Sequence, residues 1–134
     1  MASAGLAAGL IDTDVLIDAE RGHPDAVAFL TTQQAASGVR LSVVSAMELV
    51  VGCRNAAALA HVRQFLQHVM VMPIDVTISQ TAYALVETFF LSHRLLIPDA
   101  LIAATALGHG LPLYTKNVRH FQMIPQLTVV RLYP

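Results

Sequence analysis

The hydrophobic positions fall into two recurring patterns. Short, nearly continuous apolar runs occur at "GLID" (9–12), "VRLSVVS" (39–45), "MVMPID" (70–75), "LPLYT" (111–115) and "LTVVRL" (127–132). Each is too short for an ordinary helix and reads as a strand buried on both faces. Between them, apolar residues recur three and four apart. "TDVLIDAERG" predicts a helical turn or two. "HPDAVAFLTTQQAASG" predicts a helix with Pro24 in a tolerated first-turn position and Gly38 as its stop. "SAMELVVGC" predicts a helix capped by Ser45, with Glu48 three residues on, and "NAAALAHVRQFLQHV" a longer one capped by Asn55. "VTISQTAYALVETFFLSHR" places Ile78, Ala82, Leu85 and Phe89 on one helical face. "PDALIAATALGHG" predicts a nearly all-apolar helix, with Pro98 and Asp99 at its start and Gly110 at its stop. Strands alternating with helices predict an α/β fold in three layers, a parallel five-stranded sheet flanked by helices.

A length of 134 residues predicts one domain, 1–134, with 1–8 as an N-terminal extension. The opening "MASAGLAAGLI" has no positively charged segment and does not read as a signal peptide. Hydrophobic residues make up 55% and charged residues 13%, against a usual charged share of about 25%. Mean hydropathy is +0.60. Such a chain has apolar surface to spare for a partner or a second copy. The net charge of −1 excludes a broad basic field for nucleic acid, so any such contact is local and uses few arginines. Cys53 is the single cysteine, which excludes an internal disulfide and fits a reducing compartment such as the cytoplasm. No membrane span is predicted. The longest uncharged run, Ala100 to Thr115, is too short and is broken by His109, Gly110 and Pro112.

The chain has nine acidic residues, and three of them fall within "GLIDTDVLID". Asp18 leads into Glu20, Arg21 and Gly22 and reads as solvated, as do Asp25 and Glu87. Asp12 and Asp14 stand beside a buried strand. In open parallel sheets, function gathers at the carboxyl ends of the strands. Asp12 ends the first strand, Glu48 follows the second, Asp99 starts the helix before the fourth, and Asn117 follows the fourth. Each also has a plainer structural reading. Ser45 and Glu48 form a capping box. Asp99 suits a helix dipole. Asp14 and Asn117 suit N-caps, and Asp12 can end its strand by bonding the next turn. The conjunction argues for more. Clustered carboxylates repel by roughly 4 kcal/mol per pair at 4 Å and an effective dielectric near 20. A hard divalent cation offsets this, and oxygen-only ligands suit Mg²⁺ or Mn²⁺. Such an ion supports attack of water on a phosphodiester.

At these residues the chain resembles a PIN-domain ribonuclease, specifically a VapC-type toxin of a toxin–antitoxin pair. The resemblance rests on "LIDTDVLID", "LSVVSAMELVVGC", "IPDALIAATALGHGLPLYTKNVRHF" and "LTVVRLYP", in that order and over most of the chain. It implies a metal-dependent endoribonuclease that inhibits growth by cutting RNA, a VapB-like antitoxin partner and a homodimer. It implies Asp12, Glu48 and Asp99 as the acidic site, with Asp12 and Asp99 as direct metal ligands and Glu48 as the helper. The family often has a further acid where this chain has Asn117, with His120 three residues on, and often Asn at the position of Asp14. Asn117 is then a water-holding or supporting residue, and His120 a partly buried neighbour of Phe121. Arg21, Arg54, Lys116 and Arg119 are candidates for holding RNA phosphates. Arg63 and Arg94 read as ordinary helix-surface charges.

Two alternatives stand beside this. An aspartate phosphotransfer protein would also place "DTD" after a strand and "LYTK" at a later strand end. It lacks the expected Gly-Thr after the second Asp, and its only mid-chain phosphoacceptor, Asp75, reads better as a helix start. A degenerate, non-catalytic PIN-like binding module would fit Asn117 and the low charge.

Overall fold

The structure is a computed structural model and describes residues 7–134. Most of the expected N-terminal extension therefore lies outside the described residues. The elements run β1 (Leu10–Ile11), α1 (Thr13–Glu20), α2 (Pro24–Ala36), β2 (Arg40–Ser42), α3 (Val43–Val51), α4 (Ala56–Leu66), β3 (Met70–Met72), α5 (Val76–His93), α6 (Ile97–Gly108), β4 (Leu113–Thr115), a 3-10 turn (Val118–His120) and β5 (Val129–Arg131).

The five strands form one sheet in the order β3-β2-β1-β4-β5, with every pairing parallel. Alternation along the strands splits the apolar residues between two cores. Leu10 and Leu113 face α5 and α6, packing with Ile78, Ile102 and, from just after the 3-10 turn, Phe121. Ile11, Leu41 and Tyr114 face the other way, onto Val15, Phe29, Leu49 and Val62 of α1 to α4. That is the expected three-layer α/β arrangement. The predicted face of α5 is the one that packs: Ile78, Ala82 and Leu85 are buried, and Phe89 lies half-buried against the same core.

The chain leaves β1 for β2 on one side and returns to β4 on the other. The edge of the sheet between β1 and β4 is therefore its topological switch point, the usual place for a ligand in such sheets. Residues at this seam pack tightly. A Cβ at Gly9 would run into the Tyr114 ring and stand 2.9 Å from the Pro112 carbonyl oxygen. Gly38 stops α2 as expected; its φ of +86° favours glycine, and its N–H closes on the Gln33 carbonyl at 2.9 Å.

The largest departure from expectation is at β2. The run "VRLSVVS" suggests a strand as far as Ser45, but the strand ends at Ser42. Ser42 caps α3, its Oγ accepting from the Val44 N–H at 3.1 Å. The β-branched Val43 and Val44 are helical, so a cap three residues earlier than predicted overrides their strand propensity. Asp75 caps α5, accepting from the Ile78 N–H at 2.8 Å. That bond gives it a structural duty and removes the phosphoacceptor of the phosphotransfer alternative. Among the described residues, no helix is long and apolar enough to cross a membrane.

Candidate active site

Asp12 follows β1 directly and sits at the N-cap position of α1, but its side chain makes no capping bond. Asp12 is therefore no side-chain N-cap, and of the plainer reading, a bond to the next turn, what remains is the Thr13 amide beside the carboxylate. The carboxylate turns instead across the switch point, where Oδ2 accepts from Thr115 Oγ1 at 2.8 Å. Asp12 is only 4% exposed. Burial pushes its carboxyl up to about 7; the Thr115 bond and the Thr13 amide oppose the shift, and the charges of Asp14 and Asp99 add to it.

Asp14, in the first turn of α1, accepts a hydrogen bond from Asn117 Nδ2. It is no N-cap, and neither is Asn117 by its side chain, although Asn117 stands at the start of the 3-10 turn. The Asn117 amide N–H reaches back to Thr115 Oγ1 at 2.9 Å, so Thr115 joins Asn117 to Asp12. Asp99 lies in the first turn of α6, with its side chain 20% exposed. Burial raises its carboxyl; His120 opposes, and the charges of Asp14 and Glu48 add.

Glu48 stands free of the capping box predicted for it. With Ser42 as the cap, Ser45 lies inside α3, fully buried. Thr13 Oγ1 is 2.7 Å from both Ser45 Oγ and Glu48 Oε1. A carboxylate only accepts and a hydroxyl carries one proton, so Thr13 donates to Glu48 and Ser45 serves Thr13. Three buried hydroxyls, Thr13, Ser45 and Thr115, thus hold the acids in place. None was a candidate in the sequence. Their one signal there is position, Thr13 between two aspartates and Thr115 at a strand end.

His120 differs from expectation: its side chain is 54% exposed, and its Nδ1 lies 3.6 Å from Asp99 Oδ2. Asp18 differs too. Its side chain is only 13% exposed and receives Lys116 Nζ at 2.8 Å and the Tyr133 hydroxyl at 2.7 Å. Burial would raise the Asp18 carboxyl, but these two donors and the Lys116 charge outweigh it and hold the carboxyl below its usual range. Of the four cations considered for RNA, Lys116 is therefore engaged in fastening the loop after β4 to α1. Arg21 lies at the far end of α1 from Asp12, about 12 Å of helix away. Arg54 is exposed in the loop after α3. Arg119 does flank the acids: it lines a cleft of about 270 Å³ with Asp99 and His120. Arg94, exposed at the end of α5, lines the same cleft.

Among the described residues, no three histidine, cysteine, aspartate or glutamate side chains surround a single point as a finished metal cage. Each acid is turned to its own neighbour: Asp12 to Thr115, Asp14 to Asn117, Glu48 to Thr13, Asp99 to His120. A divalent cation fits the site by other criteria. The donors are all oxygens, and two of the acids are costly to ionise where they stand. Mg²⁺ keeps much of its water and needs only one or two carboxylates from the protein.

This combination, a parallel sheet with acids gathered at its switch point, defines the class, and the comparisons with known proteins agree. The chain belongs to the PIN domain family, which it matches over residues 9–125. Within that family it is similar to ribonuclease VapC10 of Mycobacterium tuberculosis, 38% identical over 119 residues that cover 88% of this chain and 89% of the relative. It is also similar to ribonuclease VapC19 of the same organism, 36% identical over 121 residues, covering 88% and 95%. Among solved structures, a toxin–antitoxin complex from Klebsiella pneumoniae superposes with a TM-score of 0.78 at 31% identity, covering 94% of this chain and 98% of that one.

Proposed function

We propose that this protein is a Mg²⁺- or Mn²⁺-dependent endoribonuclease of the VapC type, the toxin of a toxin–antitoxin pair that acts in the cytoplasm. The observation that carries the proposal is the buried Asp12 carboxyl at the sheet's switch point, with Asp14, Asp99 and Glu48 within electrostatic reach of it or of one another. The ribonuclease relatives support the reaction, and the Klebsiella complex supports the pairing.

Asp12 and Asp99 are the residues to hold the cation, with Glu48 at its margin. When bound, the ion's charge would offset the crowding of the acids, and its Lewis acidity would stabilise charge on the phosphodiester and lower the pKa of water. Thr115 fixes Asp12 by donating to Oδ2, which leaves Oδ1 for the site. Thr13 fixes Glu48 through Oε1, so Oε2 is free to accept a proton from the attacking water. Asn117 steadies Asp14 and, through its backbone, the Thr115 hydroxyl. An open site of this kind suits unstacked RNA, in loops or single strands.

Purified protein should cut RNA from its host with Mg²⁺ or Mn²⁺ and lose the activity in a chelator. Its expression without a partner should arrest growth. If the protein cuts no RNA with either metal and expression is harmless, the degenerate-module reading replaces this one.

The surplus apolar surface has two places to go. An apolar cavity lies between α1, α2, α3 and α4, lined by Leu16, Val27, Leu30, Leu49, Val62 and Phe65, and fits the apolar tail of an antitoxin. Elsewhere, Phe90 and Leu91 on α5, Leu96 just before α6, Ile97 at its start, and Met47, Val50 and Val51 on α3 are exposed; these suit a second copy of the chain. Light scattering at micromolar concentration should give a dimer. A monomer that stays a monomer on adding the antitoxin would overturn this assignment of the surface.

A further inference from the structure

We infer that the cleft between the end of α5, the start of α6 and the 3-10 turn holds a backbone phosphate of the RNA strand next to the one being cut, gripped by Arg94 and Arg119. The inference rests on the ribonuclease reading and names a binding subsite for it. The cleft is lined by His93, Arg94, Leu96, Asp99, Arg119 and His120. Asp99 belongs to the acid cluster, so the cleft opens directly off the candidate active site. Both guanidinium groups are exposed, and among the described residues neither forms an ion pair. No arginine among the described residues forms an ion pair; what sets these two apart is that both line one cleft beside Asp99, in a chain with only eight lysines and arginines.

Arg94 is held in position. It ends α5 in the left-handed conformation, φ 56° and ψ 39°, where glycine or asparagine is the usual residue. Its N–H closes on the Phe90 carbonyl at 2.7 Å, and its guanidinium lies 5.2 Å from the centre of the Phe90 ring. The ring supports one face of the guanidinium and leaves its N–H edge to a planar or tetrahedral anion. Arg119 approaches from the turn after β4, the segment that also carries Asn117. A phosphate between them is reached from both walls of the cleft. The exposed His93 ring gives an unstacked base a surface to stack on. Such contacts position the strand without reading its sequence.

The test is steady-state cleavage of a short single-stranded RNA with Mg²⁺, over a series of salt concentrations. It is paired with RNA binding followed by fluorescence anisotropy without divalent cation. Arg94→Gln and Arg119→Gln should each raise KM about 5- to 10-fold with little change in kcat, because the contact is made equally in ground and transition states. Each should also flatten the salt dependence of binding by about 0.7 in log–log slope, the value for one phosphate contact on a single strand. Arg94→Lys keeps the charge and should recover most of the slope. Arg63→Gln, on α4, should leave KM and slope as in the wild type. If Arg94→Gln melts far below the wild type, Arg119→Gln on its exposed turn carries the test. Unchanged KM and slope in both variants of a protein that cleaves RNA would overturn the subsite alone, as would an equal loss in Arg63→Gln. A wild type that neither binds nor cuts RNA would overturn the ribonuclease reading and the subsite with it.

Discussion

Asp12→Asn should abolish RNA cleavage, lowering the rate by on the order of a thousandfold or more, while leaving the fold intact. Asparagine retains an oxygen that accepts from Thr115 Oγ1, so the bond across the switch point survives. What disappears is a buried negative charge beside Asp14 and Asp99. Without metal, the variant should therefore be as stable as the wild type or more so. The metal response separates a ligand from a structural residue. At a hundredfold excess over its dissociation constant, a ligand that binds only the folded state adds about 2.7 kcal/mol, which is several degrees of melting temperature. The wild type should gain that shift with Mg²⁺ or Mn²⁺, and Asp12→Asn should lose most of it. Asp14→Asn makes the control two residues away. It keeps an acceptor for Asn117 Nδ2 and gives up only its charge, so it should retain most of the activity. An Asp12→Asn protein that still cuts RNA and still gains the full metal shift would remove Asp12 from the site.

The fold was legible because strand and helix periods differ sharply along this chain, and because buried parallel strands are too apolar to mistake. The places where expectation failed are those decided by single hydrogen bonds. Val43 and Val44 look like strand, but Ser42 Oγ accepts from the Val44 N–H and starts the helix at Val43. That one bond also released Ser45 and Glu48 from a capping box that their spacing strongly suggests. The gathering of Asp12, Glu48, Asp99 and Asn117 at one edge followed from strand order, since each lies just past a strand or at the head of a helix. The supporting bonds did not follow. Thr13 reaches Glu48 across 35 residues, Thr115 reaches Asp12 across 103, and Tyr133 reaches Asp18 across 115. No local pattern encodes such pairs. The misreading of Asp18 has the same origin: its charged neighbours in sequence suggest solvent, but its partners Lys116 and Tyr133 arrive from the far end of the chain. The cleft that Arg94 lines with Arg119 is made by two separate elements, so no local pattern in the sequence announces it.

In a chelator, the protein should lose stability as the pH rises from about 4 to about 7. The Asp12 carboxyl has an ordinary value of 3.8 and stands at about 7 in the folded protein. Between those two values the folded chain holds a proton that the unfolded chain has released, so raising the pH favours unfolding. The difference is worth on the order of 4 kcal/mol, present in full below pH 4 and gone once the pH has passed the folded value. Asp99, raised by burial and by the charges of Asp14 and Glu48, acts in the same direction. Asp18 acts in the opposite direction and at lower pH. Its carboxyl is held below 3.8, so its contribution is present above that value and is lost as acid protonates it. The contributions of Asp12 and Asp18 therefore run in opposite directions on either side of about pH 4. Magnesium should reverse the slope, because it binds the deprotonated acids and gains strength as protons leave. Asp12→Asn should flatten the metal-free slope by removing its largest source. Urea unfolding at intervals from pH 4 to 8, with chelator and with Mg²⁺, measures all three curves. A metal-free wild type whose stability rises steadily with pH across that range would mean that Asp12 is ionised at no cost, and the electrostatic case for a cation at the switch point would fall with it.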